Sequence, residues 1–169
     1  ISFRYPRGSG EGVKIPESYK PLEIGKGRII SEGSKVAIIN LGARLFEVKK
    51  ASEKLNSMGL SASVIDARFA KPLDEKLIIS AAKNHEVIIT IEEGSFGGFG
   101  SSVLSLLSNN ALLDNGLKIR NLILPDKFIS HASPEEMYVE AKLVSEDIVE
   151  KVLGILKIQS PDLKVVNPK

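Results

Sequence analysis

The sequence predicts an α/β protein: a mostly parallel sheet covered by helices on both faces. Two observations carry this. Short β-branched runs recur at 28–31, 36–41, 62–66, 87–91 and 119–124, and the central ones are almost continuously apolar, as strands buried on both faces must be. Helical patterns lie between most of these runs, the alternation that a parallel sheet with crossover helices requires. At 169 residues the chain suits one compact domain, large enough to bury a core without covalent staples.

The elements follow in order. The 28–31 run is joined to the 36–41 run only by Glu32-Gly33-Ser34-Lys35, and so short a turn permits an antiparallel pair or a jump within the sheet. Leu45, Val48, Ala51, Leu55 and Met58 then recur at spacings of three and four, which predicts a helix over about 43–58 with Arg44, Lys49, Lys50, Glu53 and Lys54 on its other faces. Gly59 stops it. A second helix is predicted over about 74–83, with Asp74 as N-cap and Leu73 and Ile78 placed for a hydrophobic staple. A third follows a glycine cluster, from about Ser101 to Ser108. Ser133-Pro134-Glu135-Glu136 is a capping box with proline at the first helical position and opens a fourth. The last starts at Ser145, with Glu146 and Asp147 at the positive end of its dipole and Ile148, Val149, Val152, Leu153 and Leu156 facing inward.

The ends read differently. Pro6, Gly8, Gly10, Gly12, Pro16 and Pro21 make residues 1–24 an extended arm. Residues 158–169 are polar, hold two prolines and read as a disordered tail, which leaves 25–157 as the folded domain. The chain opens at Ile1 without an initiator methionine and is expected to be a piece of a longer protein.

Composition narrows the chemistry. There is no cysteine, which excludes disulfides, Cys-zinc sites and thiol catalysis. The only histidines, His85 and His131, leave little for a multi-His metal site or a Ser-His-Asp hydrolase. A net charge of +2 with acids interspersed is too mild for a nucleic-acid footprint. No apolar run is long enough to span a bilayer, so no membrane partner is expected, and no signal peptide opens the chain.

Ligands of an open α/β sheet gather at the carboxyl ends of its strands: here Gly42, Asp66-Ala67-Arg68, Glu92-Glu93-Gly94 and Pro125-Asp126. The stretch Glu92-Glu93-Gly94-Ser95-Phe96-Gly97-Gly98-Phe99-Gly100-Ser101 looks like a phosphate loop opening a helix. However, Val103 stands where the third fingerprint glycine belongs, no lysine lies in the loop, and two carboxylates precede it. Its glycines read instead as a tight turn with close strand–helix packing. Adjacent strand residues point to opposite faces, so Glu92 and Glu93 do not form an acid/base pair; hydrogen bonding to loop amides, or pairing with Arg68, is expected. His85 closes a helix, where a structural role is expected, and His131 is a general acid/base candidate with no partner visible in sequence. Arg4 and Arg7 flank Tyr5-Pro6, and two guanidiniums held apart by a stiff proline suit a phosphate.

Taken in order, the motifs are more specific. Phe3-Arg4-Tyr5-Pro6-Arg7-Gly8, Leu22-Glu23-Ile24-Gly25-Lys26-Gly27, Asp66-Ala67-Arg68-Phe69-Ala70-Lys71-Pro72-Leu73-Asp74, the Glu92–Ser101 stretch and Leu124-Pro125-Asp126-Lys127-Phe128-Ile129 resemble, over roughly residues 3–157, the C-terminal third of the 1-deoxy-D-xylulose-5-phosphate synthase family, thiamine-diphosphate enzymes of the transketolase superfamily. The resemblance implies a three-layer α/β/α domain with a five-stranded mixed sheet, mostly parallel with the first strand antiparallel, and a switch point between the 36–41 and 87–91 strands. It implies a cytoplasmic homodimeric parent that condenses pyruvate with glyceraldehyde 3-phosphate, releases CO2, and feeds isoprenoid, thiamine and pyridoxal synthesis. Thiamine diphosphate and Mg would be held by preceding domains of the same chain, with no catalytic, cofactor or metal residue in this piece and none expected to turn over alone. Arg7 would help hold the acceptor phosphate, with Arg4 a weaker candidate. Two positions depart from the pattern: His131-Ala132 stands where the family has His-Gly or Gln-Gly, and Lys142 replaces a usual glycine. The alternatives are the same domain of another superfamily enzyme, a free-standing flavodoxin-like module binding a phosphate or nucleotide at Gly94–Gly100, and a pure dimerisation domain.

Overall fold

Val36, Ala37, Ile38 and Ile39 have no exposed surface, and burial on both faces of one run puts it in the middle of a sheet. The computed structural model describes residues 10, 12–14, 17–18 and 20–158; Arg4, Arg7, most of the expected arm and the 159–169 tail lie outside the described residues. In chain order the elements are β1 (Arg28–Ser31), β2 (Val36–Leu41), α1 (Leu45–Ser57), β3 (Ala62–Asp66), α2 (Glu75–Asn84), β4 (Val87–Glu92), α3 (Phe99–Asn109), β5 (Lys118–Leu122), α4 (Pro134–Glu140) and α5 (Ser145–Leu156). The sheet order is β1-β3-β2-β4-β5. β1 runs antiparallel to β3, and every other pairing is parallel.

Alternate residues of β2 feed two cores. Val36 and Ile38 pack with Val64, Ile89 and Ile91 under Val48 and Leu55 of α1 and Ile148 and Val152 of α5. Ala37 and Ile39 pack with Ile65 and Ile88 under Ile78 and Ala81 of α2 and Phe99, Val103 and Leu107 of α3. Each fully buried aliphatic side chain stabilises the fold by about 1.5–3 kcal/mol, so this three-layer arrangement is held mainly by its strands.

The short turn after β1 makes a jump, not a hairpin: it crosses the start of β3 to reach β2. Gly33 permits the crossing, because a Cβ there would lie 2.4 Å from the Ala62 carbonyl carbon. Gly33 N donates to Ser63 Oγ at 2.7 Å, and the amides of Ser34, Lys35 and Val36 converge on the Ser61 carbonyl. His85, the residue closing α2, is wedged here, with Nε2 2.8 Å from Ser63 Oγ and Nδ1 2.8 Å from the Ala81 carbonyl. Its role is structural, as the sequence suggested.

At the opposite edge the chain enters through residues 25–27. Gly25 adopts φ +73° against Pro72, where a Cβ would come within 2.8 Å of the proline ring. Asp74 caps α2 by accepting from Leu77 N at 3.2 Å and holds Gly27 N at 3.2 Å with its other oxygen. Because Arg28 pairs with Asp66, the last residue of β3, this entry lies at the carboxyl edge of the parallel strands.

Two boundaries differ from the sequence expectation. α3 begins at Phe99 rather than Ser101, because a carboxylate takes up its first amides, described below. β5 ends at Leu122 because Leu124 N turns away to the Gly94 carbonyl at 2.9 Å. The capping box at Ser133 and Glu136 is present as expected, and the nearby serine holds the Glu136 carboxyl below its usual range.

Lys142 follows α4 in the left-handed region at φ 62°, where an L side chain costs about 1–2 kcal/mol. The turn closes through Lys142 N on the Val139 carbonyl and Leu143 N on the Tyr138 carbonyl, which delivers Leu143 to the core. The ion pair from Lys142 to Asp147, at 3.4 Å, leaves the lysine side chain largely in solvent and offsets little of this. Lys142→Gly should therefore stabilise the domain by about 0.5–1 kcal/mol once the glycine's extra unfolded entropy is counted. A urea midpoint unchanged or lowered would contradict it.

Candidate functional site

β2 and β4 are neighbours in the sheet, yet the chain leaves β2 toward β3 and leaves β4 toward β5. The crevice beyond their carboxyl ends is the switch point, where an α/β sheet offers a ligand the most exposed backbone. Asn40, Gly42 and Arg44 reach it from β2, Glu92 and Glu93 from β4, and Tyr138 from α4.

Glu92 is almost fully buried. Its two oxygens accept from Phe99 N at 3.1 Å and Gly100 N at 2.8 Å, so the carboxylate occupies the positive end of α3. The glycines wrap around it: a Cβ on Gly94 would lie 2.4 Å, and on Gly98 2.7 Å, from Glu92 Oε2. Gly100 brings the helix against Thr90 and Asn121, whose side chains are themselves joined at 2.8 Å. Hydrogen bonding to loop amides was the role expected for this pair, and Glu92 performs it. A phosphate sought at Gly94–Gly100 would meet a helix terminus already filled by the chain's own anion.

Glu93 points elsewhere, as alternation requires. It meets Arg44, not Arg68: Arg44 Nε lies 2.9 Å from Glu93 Oε1, both side chains largely buried. The two atoms are out of line for a hydrogen bond, so the attraction is between charges. Arg68 turns instead to Asp66, at 3.9 Å, which it shares with Arg28 at 3.0 Å. The Arg44 guanidinium lies 3.4 Å from the Tyr138 ring centroid, a cation–π contact worth about 0.5–2 kcal/mol. Burial first, and then the nearby Glu93 carboxylate, push the Tyr138 phenol above its ordinary value, while Arg44 opposes the shift. Asn40 is wholly buried, with Nδ2 donating to the Gly42 carbonyl at 2.9 Å and Oδ1 without a hydrogen-bond partner among the described residues.

Sequence reading placed Gly42 and the two glutamates here but took Arg44 for a solvated face and passed over Asn40 and Tyr138. An arginine two residues beyond a strand-end glycine was the available signal for Arg44. Tyr138 had none, since α4 reaches the crevice only through the fold. His131 is exposed and has no hydrogen-bond or ionic partner among the described residues.

Thiamine diphosphate and Mg find no matching donors among the described residues. The α3 amides are occupied, the two glutamates repel a diphosphate, and no group of three acidic or histidine side chains could hold a metal ion. No helix among the described residues is long and apolar enough to cross a membrane.

Two outcomes test this geometry. Glu92→Gln keeps one acceptor but turns an NH2 toward the second amide, and should cost about 1–3 kcal/mol, read from the urea midpoint; an unchanged midpoint would show the cap to be dispensable. For Tyr138, a folded pKa raised above the unfolded value of about 10 means stability that is present below that pH and lost as pH rises through the folded value. The tyrosinate absorbance removed by Tyr138→Phe should therefore belong to a step above that of free tyrosine; a step at or below it would refute the assigned environment.

A family model described as the transketolase C-terminal domain matches residues 25–148. Among solved structures, the chain is similar to one titled "Split gene transketolase, inactive beta4 tetramer", with TM-score 0.73 and 28% identity over 85% of this chain and 47% of that one. It shares its fold with a transketolase from Campylobacter jejuni subsp. jejuni NCTC 11168, with TM-score 0.53 and 13% identity over 77% of this chain and 18% of that one. The chain thus spans less than half the length of either. With the model covering most of the residues, the chain belongs to the transketolase C-terminal domain family.

Proposed function

We propose that this chain is the C-terminal domain of a synthase that condenses pyruvate with glyceraldehyde 3-phosphate to 1-deoxy-D-xylulose 5-phosphate and CO2. The observation that carries the reading is the ordered motif set running from Phe3-Arg4-Tyr5-Pro6-Arg7-Gly8 to Leu124-Pro125-Asp126-Lys127-Phe128-Ile129. The synthase is a cytoplasmic homodimer in this reading, supplying isoprenoid, thiamine and pyridoxal precursors. Preceding domains of the same chain hold thiamine diphosphate and Mg. This domain completes the assembly and lends Arg7, with Arg4 beside it, to the phosphate of the acceptor. The entry of residues 25–27 at the carboxyl edge supports it, since a short arm leaving there starts at the end of the sheet where ligands gather.

A transketolase proper is the second reading, favoured by the titles of both similar structures. Release of CO2 from pyruvate by the parent enzyme separates the two.

This chain alone, given thiamine diphosphate and pyruvate, should release no CO2. In the parent enzyme, Arg7→Ala removes a charge-assisted contact of about 1.5–3 kcal/mol. The kcat/KM for the phosphorylated acceptor should fall by about one to two decades, with pyruvate binding spared. Equal loss for both substrates would make Arg7 a structural residue, and turnover by the isolated chain would overturn the assignment.

A further inference from the structure

Two aromatic rings stand in solvent at the carboxyl edge. Phe96, in the β4–α3 turn, is 79% exposed, and Phe128, between β5 and α4, is fully exposed at 102%. Neither is out for want of order in its loop. The Phe96 turn is closed by Gly98 N on the Ser95 carbonyl and by Gly97 N on Ser101 Oγ, each at 3.1 Å, over the buried Glu92. The Phe128 loop is fixed by Lys127 N on the Pro125 carbonyl at 2.8 Å and by the Lys127–Glu140 ion pair at 3.0 Å. Leu124 N on the Gly94 carbonyl joins the two loops. Rigid turns presenting large apolar rings are the anatomy of a docking anchor: the rotamer and loop entropy of binding is already lost.

The occupant is indicated by where the chain enters. Residues 25–27 arrive beside Pro72 and Asp74 at this same edge, and the exposed Leu22 and Ile24 on the entering segment continue its apolar character. The entry leads into β1, with β3, β2, β4 and β5 following in order across the sheet. At about 4.8 Å per strand, the strands that open into the two phenylalanine loops stand roughly 15–20 Å from it, within the width of one folded domain. A folded body tethered there is present at an effective concentration of the order of millimolar, which a free copy of the chain does not match.

We propose that Phe96 and Phe128 are the anchors by which this domain docks against an apolar patch of the domain preceding residue 25 in the parent enzyme. This rests on the reading that catalytic domains precede it, but not on which substrates they use. The test is hydrogen exchange at the amides of Phe96, Phe128 and Ile129, which donate no hydrogen bond among the described residues, measured in this chain and in the full-length parent. Exchange there should be fast in the chain at all concentrations and slower by about tenfold or more in the parent. The parent carrying Phe96→Ser and Phe128→Ser should lose that protection and be cut by trypsin at Lys14 or Lys20 about tenfold faster. The same pair of changes in this chain should leave its far-ultraviolet circular dichroism and urea midpoint unaltered.

Equal exchange in chain and parent would overturn the proposal. So would protection retained by the double variant, protection in the chain that grows with concentration, which would mean a second copy, or protection in the chain at every concentration, which would mean its own terminal residues. None of these readouts moves if the parent proves to be a transketolase; that failure would show only in the CO2 assay.

Discussion

A single buried carboxylate organises the carboxyl edge of this domain. Glu92 ends the interior strand β4, and its two oxygens take the first free amides of α3. A charge that deep persists only when hydrogen-bonded on every side that water has left. The glycines at 94 and 98 are the consequence, since any Cβ at either position would strike the carboxylate. The early start of α3, the tight turn that holds Phe96 outward, and the bond from Leu124 back to Gly94 all depend on that anchor. An open α/β sheet ordinarily leaves this helix terminus for a ligand's phosphate; here the protein has filled it from within.

The two ends of the sheet are thereby given different work. At the amino edge, Gly33, Ser61, Ser63 and His85 join β1, β3 and α2 through short bonds that satisfy the crossing turn. At the carboxyl edge, Asp74 and Gly25 seat the incoming segment, and Arg44, Glu93 and Tyr138 lock α4 across the crevice. α4 has no fully buried residue of its own, so the stacked guanidinium and the buried Leu143 behind it supply the tie that a hydrophobic face would give a longer helix.

Much of this was legible from local chemistry. Strand positions follow from continuous apolar runs, and the caps at Asp74 and Ser133 from side chains that can accept an amide, because both rules act over a few residues. Lys142 was flagged by the family resemblance and not by local chemistry, as standing where a glycine is usual, and its φ of 62° gives the physical reason for a glycine there. What escaped was long-range. No local rule could decide whether the Glu32–Lys35 turn made a hairpin or a jump, since that depends on β3 inserting thirty residues later. Nor could one pair Arg44 with Glu93 or bring Tyr138 over both; Arg68 was the nearer candidate by motif, and only the fold shows that it shares Asp66 with Arg28 instead.

The Oδ1 of Asn40, which has no partner among the described residues, belongs to the same long-range account. Asn40 is flanked by Asp66 on β3 and Ile91 on β4, at the one place in the sheet where the chain departs in both directions. Its amide nitrogen is taken up by the Gly42 carbonyl, which holds the left-handed turn into α1. An apolar residue of that size would pack as well but could not restrain the turn, and the turn sets where Arg44 begins. A buried acceptor without a donor costs stability. Here that cost is tolerated in exchange for the position of the guanidinium that pairs with Glu93 and carries Tyr138. The crevice is therefore arranged by polar contacts that are imperfect one by one, on a sheet whose apolar packing is stable enough to bear them.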